Sequence, residues 1–100
     1  MDHIAIDVYV IDVLMPDLVG HDRRPASFIV YLFLLAQAAK GRRDLVSVSL
    51  QTIATKTGLS KSTVQAALRH LRRRKLLDPA IVATVTHPVR GILRPWTGRR

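Results

Sequence analysis

The chain has 100 residues, 48% of them apolar, and carries 16 Lys and Arg against 7 Asp and no Glu, for a net charge of +9. That length fits one domain with a modest core, the apolar content excludes a largely disordered chain, and the lack of Cys excludes disulfides, a thiol nucleophile and a thiolate zinc site. The charge is polarised, because residues 1–22 hold five Asp and no base, whereas residues 23–100 hold all 16 bases with only Asp44 and Asp78. A field of this sign points to a polyanionic partner.

From His3 to Leu14 the residues Ile4, Ile6, Val8 and Val10 alternate, and a period of two favours a strand. From Asp12 onward, Val13, Leu14, Leu18 and Val19 equally suit a short helix with Pro16 near its first turn. The five acids Asp2, Asp7, Asp12, Asp17 and Asp22 recur every fifth residue, a step that neither an α-helix nor a strand gathers on one face. His21 beside Asp22 reads as a loop pair. Residues 1–22 are expected as an acidic extension packing on the first long helix, residues 23–95 as the domain proper, and residues 96–100 as a basic tail.

Pro25 opens a helix that runs to about Lys40 and is stopped by Gly41. It is apolar nearly all round from Phe28 to Leu35, so its second face needs a cover. Either the N-terminal segment supplies it, or a second subunit does, in a homodimer through residues 26–39. The apolar run from Ala26 to Ala39 is shorter than the roughly 20 residues of a membrane span, so no membrane is expected. Met1-Asp2-His3 lacks the basic start of a secretory signal, which leaves the cytoplasm as the expected location.

Leu45 to Ser49 alternates and suits a short edge strand. A helix is expected from about Leu50 to Thr57, closed by Gly58, and another from Ser60 to about Leu76 or Leu77, ended by Pro79. The β-branched stretch Ile81–Thr86 reads as a strand, His87-Pro88-Val89-Arg90-Gly91 as a turn, and Ile92-Leu93-Arg94 as the return strand. The fold class is therefore mainly α with a small β hairpin, in the order strand, helix, turn, helix, hairpin.

Residues 50–71 carry the informative spacing. Ala54 allows two helices to approach closely, Gly58 four residues later supplies the turn, and Val64 packs the second helix on the first. Ile53, Leu59 and Leu68 fill the space between, and Ser60 is placed to cap the second helix. On Ile53-Ala54, Gly58-Leu59-Ser60, Ser62-Thr63-Val64, Ala67-Leu68, Leu71 and Leu76-Leu77 the chain resembles the winged helix-turn-helix of bacterial DNA-binding proteins, including GntR-type regulators and plasmid or phage replication initiators. The resemblance covers residues 45–77 well and 80–95 in outline. It departs from the GntR type in two places. Arg72-Arg73-Arg74-Lys75 stands where those modules carry acids, and His87-Pro88-Val89-Arg90-Gly91 replaces their Gly-x-Gly-Thr wing.

At about 100° per residue, Val64, Leu68, Leu71 and Lys75 form the inward stripe of the second motif helix. Ser62, Ala66, Arg69 and Arg73 face the other way, flanked by Thr63, Gln65, His70 and Arg72. A helix docked in the major groove presents its N-terminal half to base edges, which selects Lys61, Ser62, Thr63, Gln65, Ala66 and Arg69. Gln65 suits adenine, Arg69 suits guanine and Ala66 suits a thymine methyl. Arg72, Arg73 and Arg74, with Gln51 and Lys56 on the first motif helix and Arg90 and Arg94 on the hairpin, are the phosphate candidates. The bland account of the basic run is a helix C-terminus stabilised through its dipole, but four successive bases exceed that need. The Arg42-Arg43 pair reads as a solvated loop, and Thr52 and Thr55 as surface or capping residues.

His3, His21, His70 and His87 have no metal-ligand spacing, the five Gly form no phosphate loop, and no catalytic constellation is present. The resemblance thus implies no enzyme and no cofactor, but a cytoplasmic transcriptional regulator that binds double-stranded DNA in a sequence-specific way, as a dimer. Two other roles suit the same residues: the DNA-binding module of a replication initiator or mobile-element protein, and a winged helix that docks on another protein.

Overall fold

From Val8 onward the N-terminal segment is helical rather than extended, as the helix alternative from Asp12 onward has it, and residues 2–7 form no strand. In a computed structural model that describes residues 2–97, it runs as two π-helical stretches, Val10–Leu14 and Pro16–His21. The strand alternation fails because it would set Val8 and Asp12 on the same face as Val10 and Leu14, whereas Val8 and Asp12 are exposed while Val10, Leu14 and Leu18 reach the core. Pro16 accounts for the wide winding. Inside an α-helix its ring would crowd the carbonyl four residues back and remove a donor, whereas hydrogen bonds that skip one residue more open that turn.

The segment lies on helix α1 (Pro25–Gly41). It supplies the cover that the second face of α1 requires. Among the large apolar side chains of α1 only Ile29 stays exposed, at 42%, so the argument for a dimer through residues 26–39 loses its basis. Tyr31, fully buried on α1, donates its hydroxyl to the carbonyl of Leu93 at 2.6 Å, and burial pushes its phenol above the ordinary value. Trp96, in the 3-10 turn Pro95–Thr97, packs edge-on to Tyr31, stacks on Tyr9 at 5.0 Å and donates its indole N–H to Asp7. The residue that opens the expected basic tail is therefore part of the packed structure. Arg99 and Arg100 lie outside the described residues.

Strand β1 (Leu45–Ser47) follows, then helices α2 (Leu50–Thr57) and α3 (Lys61–Arg73), and finally strand β2 (Val89–Gly91). The two strands pair antiparallel, with Leu45 opposite Gly91, Val46 opposite Arg90 and Ser47 opposite Val89. Just past β2, Leu77 bridges Ile92. The architecture is the winged helix in outline, mainly helical with a small antiparallel pair; β1 falls within the edge strand expected over Leu45–Ser49, but its partner is not the one expected. Ile81–Thr86 forms no strand. Asp78 turns the chain by accepting the Ala80 N–H at 2.9 Å, and a tight turn joins Thr84 to His87 through two bonds of 2.9 and 3.0 Å. The β-branched stretch becomes the wing loop, while Val89–Gly91, expected as a turn, takes the open edge of β1. Gly91 has to be small there, since a Cβ would stand 2.9 Å from the tip of Ile81 and 3.0 Å from the Cβ of Asp78.

Three helical segments end on a basic residue in the left-handed region: Arg23 (φ 57°), Arg42 (φ 56°) and Lys75 (φ 58°). At the last two, paired reverse bonds close the helix, from Arg43 to Ala38 and Arg42 to Ala39, and from Leu76 to Leu71 and Lys75 to Arg72. This closure usually takes glycine. Gly41 therefore lies one residue short of the cap that the sequence suggested for it, and α3 stops at Arg73 rather than at Leu76 or Leu77. Lys75, expected on the inward stripe, is exposed, whereas Leu76 and Leu77 pack into the core. A side chain in the left-handed region costs about 1–2 kcal/mol, of which glycine's extra freedom in the unfolded chain takes back a part. Lys75→Gly is accordingly expected to raise the denaturation free energy by roughly 0.5–1 kcal/mol. A lower midpoint in urea would contradict this account of the helix end.

Candidate nucleic-acid interface

The turn between α2 and α3 is built as the spacing predicts. Ser49 caps α2 by accepting the Thr52 N–H at 3.1 Å, and Ser60 caps α3 by accepting the Thr63 N–H at 3.2 Å. Gly58 sits at φ 81° and donates its N–H to Ala54 at 2.9 Å, a conformation that glycine adopts without penalty. Thr57 adds a bond from its hydroxyl to the Ile53 carbonyl at 2.7 Å and accepts the Leu59 N–H. Ile53, Ala54, Val64, Ala67, Leu68 and Leu71 are buried where the helices cross.

This packing turns the other side of α3 outward. Lys61, Ser62, Gln65 and Arg69 are exposed, and Thr63 and Ala66 are half-buried. Lys61, Gln65 and Arg69, joined by Arg72, line a cleft of about 540 Å³ whose opposite wall is the wing, with Gln51 of α2 and Arg90 of β2 on its borders. Ser62 and Thr63 stand nearer the cap, where the Ser60 hydroxyl lies 3.2 Å from that of Ser62 and donates to that of Thr63 at 2.8 Å. Lys56 and Arg73 are exposed but do not line the cleft.

Five of the phosphate candidates have internal partners, and of these Gln51 donates to the Thr55 hydroxyl at 3.1 Å and Arg72 to the Pro79 carbonyl at 3.3 Å. Arg94 pairs with Asp44. Arg90 donates to the Val48 carbonyl at 2.6 Å, and burial lowers the pKa of its guanidinium. Arg74 grips both Asp17 and Asp22 with its two terminal nitrogens, and those hydrogen bonds, that of Asp17 foremost, raise its pKa. Its use is thus to tie the end of α3 to the N-terminal segment.

Asp22 is the centre of that tie. One carboxylate oxygen accepts from His21 at 2.9 Å, and the other accepts from His70 at 2.8 Å and from Arg74. The second ring nitrogen of His70 lies 2.8 Å from the hydroxyl of Ser27 on α1. His70 is only 7% exposed, so its place beside the outward face of α3 is corrected: the N-terminal segment and α1 close over it. For Asp17 and Asp22 the five-residue spacing has a structural use. Where hydrogen bonds join residues five apart, side chains five apart stand nearly above one another, and Asp17 and Asp22 meet the same guanidinium. Ligand atoms of Asp17, His21 and Asp22 come within 4.8 Å of one another, but the two acids are already matched by Arg74 and His70.

With this geometry in view, the comparison with known families is specific. A family model described as a helix-turn-helix domain matches residues 24–77. The chain belongs to the helix-turn-helix domain family. The match opens just before α1, spans β1, α2 and α3, and leaves out both the acidic segment and the wing loop. Membership in the helix-turn-helix family points to DNA as the partner of the face carried by α3. Comparison with curated proteins and with solved structures gave no significant match. Among the described residues no helix is long and apolar enough to cross a membrane.

The residues that sequence reasoning missed, Asp17, Asp22 and His70, act through contacts 43 to 57 positions apart. Only the fivefold period hinted at them. The hydrogen bond from His21 first, then those from His70 and Arg74, hold the Asp22 carboxyl at about 2 against the ordinary 3.8, in spite of desolvation that pushes it up. A pKa depressed on folding stabilises above the unfolded value and stops doing so as the pH falls through the folded one. The domain should therefore lose stability from about pH 4 down to about pH 2, and Asp22→Asn should lack that part of the loss. At neutral pH the variant should be weaker by about 1–3 kcal/mol. Parallel stability curves for the two proteins across this window would refute the assignment.

Proposed function

We propose that this domain binds double-stranded DNA in a sequence-specific way, as a transcriptional regulator, with α3 in the major groove. The observation that carries this reading is the outward face of α3. Lys61, Gln65 and Arg69 stand exposed side by side on a helix whose opposite face is wholly engaged in the core. These side chains suit base edges. Gln65 offers a two-point pair to adenine, Arg69 one to guanine, and Lys61 a donor to guanine acceptors. Ser62, Thr63 and Ala66 complete the N-terminal half of the helix that such docking brings to the bases.

Phosphate contacts fall to Lys56, Arg72 and Arg73, with Gln51 beside them. Arg74, Arg90 and Arg94 are occupied by Asp17, Asp22, Val48 and Asp44, which makes them supports of the interface rather than grips on it. The exposed bases from Lys56 onward thus supply a smaller field than the raw count implies, and the acidic segment lies against the end of α3 without lining the cleft. A bacterial origin is part of the same reading, through the resemblance to bacterial winged helix-turn-helix proteins.

Selection from random duplexes at physiological salt tests the proposal. A defined consensus is expected, with two-fold symmetry only if two copies bind together. Arg69→Ala should weaken binding by about 1–3 kcal/mol and relax the preference at one position, while Arg73→Gln should weaken all sequences alike and reduce the salt slope by about 1. Unchanged affinity and preference in Arg69→Ala would overturn the placement of α3.

A further inference from the structure

The cleft between α3 and the wing has features that base reading does not use. Its volume of about 540 Å³ lies within the roughly 300–1,000 Å³ of small-molecule pockets. Its floor is apolar, with Leu68 and Leu77 only 8% and 2% exposed. Across from them stand Ile81 and the wing-tip Val85, which is 98% exposed. Facing walls of this kind offer nothing to a phosphate.

The polar groups around these walls are strongly one-signed. Lys61, Arg69, Arg72 and Arg90 converge on the cleft, against the single acid Asp78. One oxygen of Asp78 is already engaged by the Ala80 N–H. Arg72 is incompletely satisfied. One terminal nitrogen reaches the Pro79 carbonyl at 3.3 Å, but its Nε is buried without a hydrogen-bond partner. A buried donor without a partner is costly, which leaves the guanidinium of a cleft-lining residue with unused donor capacity.

We infer that the cleft binds a small organic anion with an apolar body. The acidic head meets Arg72 and Arg69, and the body lies between Leu68 and Leu77 on one side and Ile81 and Val85 on the other. The same occupant regulates the domain. Because Lys61, Gln65 and Arg69 border this cleft and also form the face proposed for base contact, the anion and the duplex exclude one another. This second half rests on the proposed DNA reading, whereas the binding itself does not.

The aromatic sulfonate 8-anilinonaphthalene-1-sulfonate is a suitable probe, with the uncharged N-phenyl-1-naphthylamine as its control. Fluorescence titration of the full chain should show saturable binding of one sulfonate per protein and much weaker binding of the neutral analogue. Arg72→Gln and Val85→Glu should each weaken it roughly tenfold, with the circular dichroism of the native fold retained. Val85 is so exposed that its substitution leaves the core intact. Absence of saturable binding would overturn the inference. So would equal binding by both variants, which would place the probe elsewhere, as on the exposed Val8 and Ile11. Duplex carrying the selected consensus should displace the probe, and simultaneous binding of both would overturn the competition. If no duplex binds at low salt while the two variants still weaken the probe, the DNA reading fails and the anion site stands.

Discussion

The carboxylate of Asp22 joins three parts of the chain that are far apart in sequence. It closes the N-terminal helical segment, accepts from His70 on α3, and shares Arg74 with Asp17, while His70 reaches on to Ser27 of α1. With its side chain 13% exposed, this acid is well shielded from water, where a hydrogen-bonded charge is held more firmly than at the surface. α3 is held against α1 by that joint near its C-terminal end and against α2 by the packed turn around Gly58 at its other end. Everything the outward face of α3 can do depends on both.

The charge distribution looks different once the partners are known. Two of the acids at the N-terminal end are not set against a distant surface; they meet one of the bases of the basic run. The wing has no exposed Lys or Arg between Leu77 and Pro88, and its tip is apolar. A positive cleft with an apolar far wall is the result, rather than a uniformly basic concave surface.

The helix-turn-helix was legible in the sequence because its determinants are local. Ala54, Gly58, Ser60 and Val64 act over a few residues, and each has one physical role that its side chain announces. At the N-terminal end the strand reading failed because Ile4, Ile6, Val8 and Val10 happen to alternate, while the helix alternative from Asp12 onward held, with Val10, Leu14 and Leu18 buried at helical spacing. The wing was misread for a different reason. Ile81–Thr86 has the composition of a strand, but an edge must be available for it to join, and Val89–Gly91 occupies that edge because Gly91 alone fits between Ile81 and Asp78. His70 carries no sign in its own neighbourhood that Asp22, 48 positions away, waits for it.

The stack of Tyr9 on Trp96 has a consequence for how the domain opens. Residues 7–9 and residue 96 hold one another through a ring contact and the bond to Asp7, and both lean on Tyr31 of α1 through Trp96. Peripheral segments normally fray on their own at small free energies. Here neither can detach without uncovering the other's rings, so the two edges of the fold form one cooperative unit, and solvent reaches the side of Tyr31 only when both have lifted.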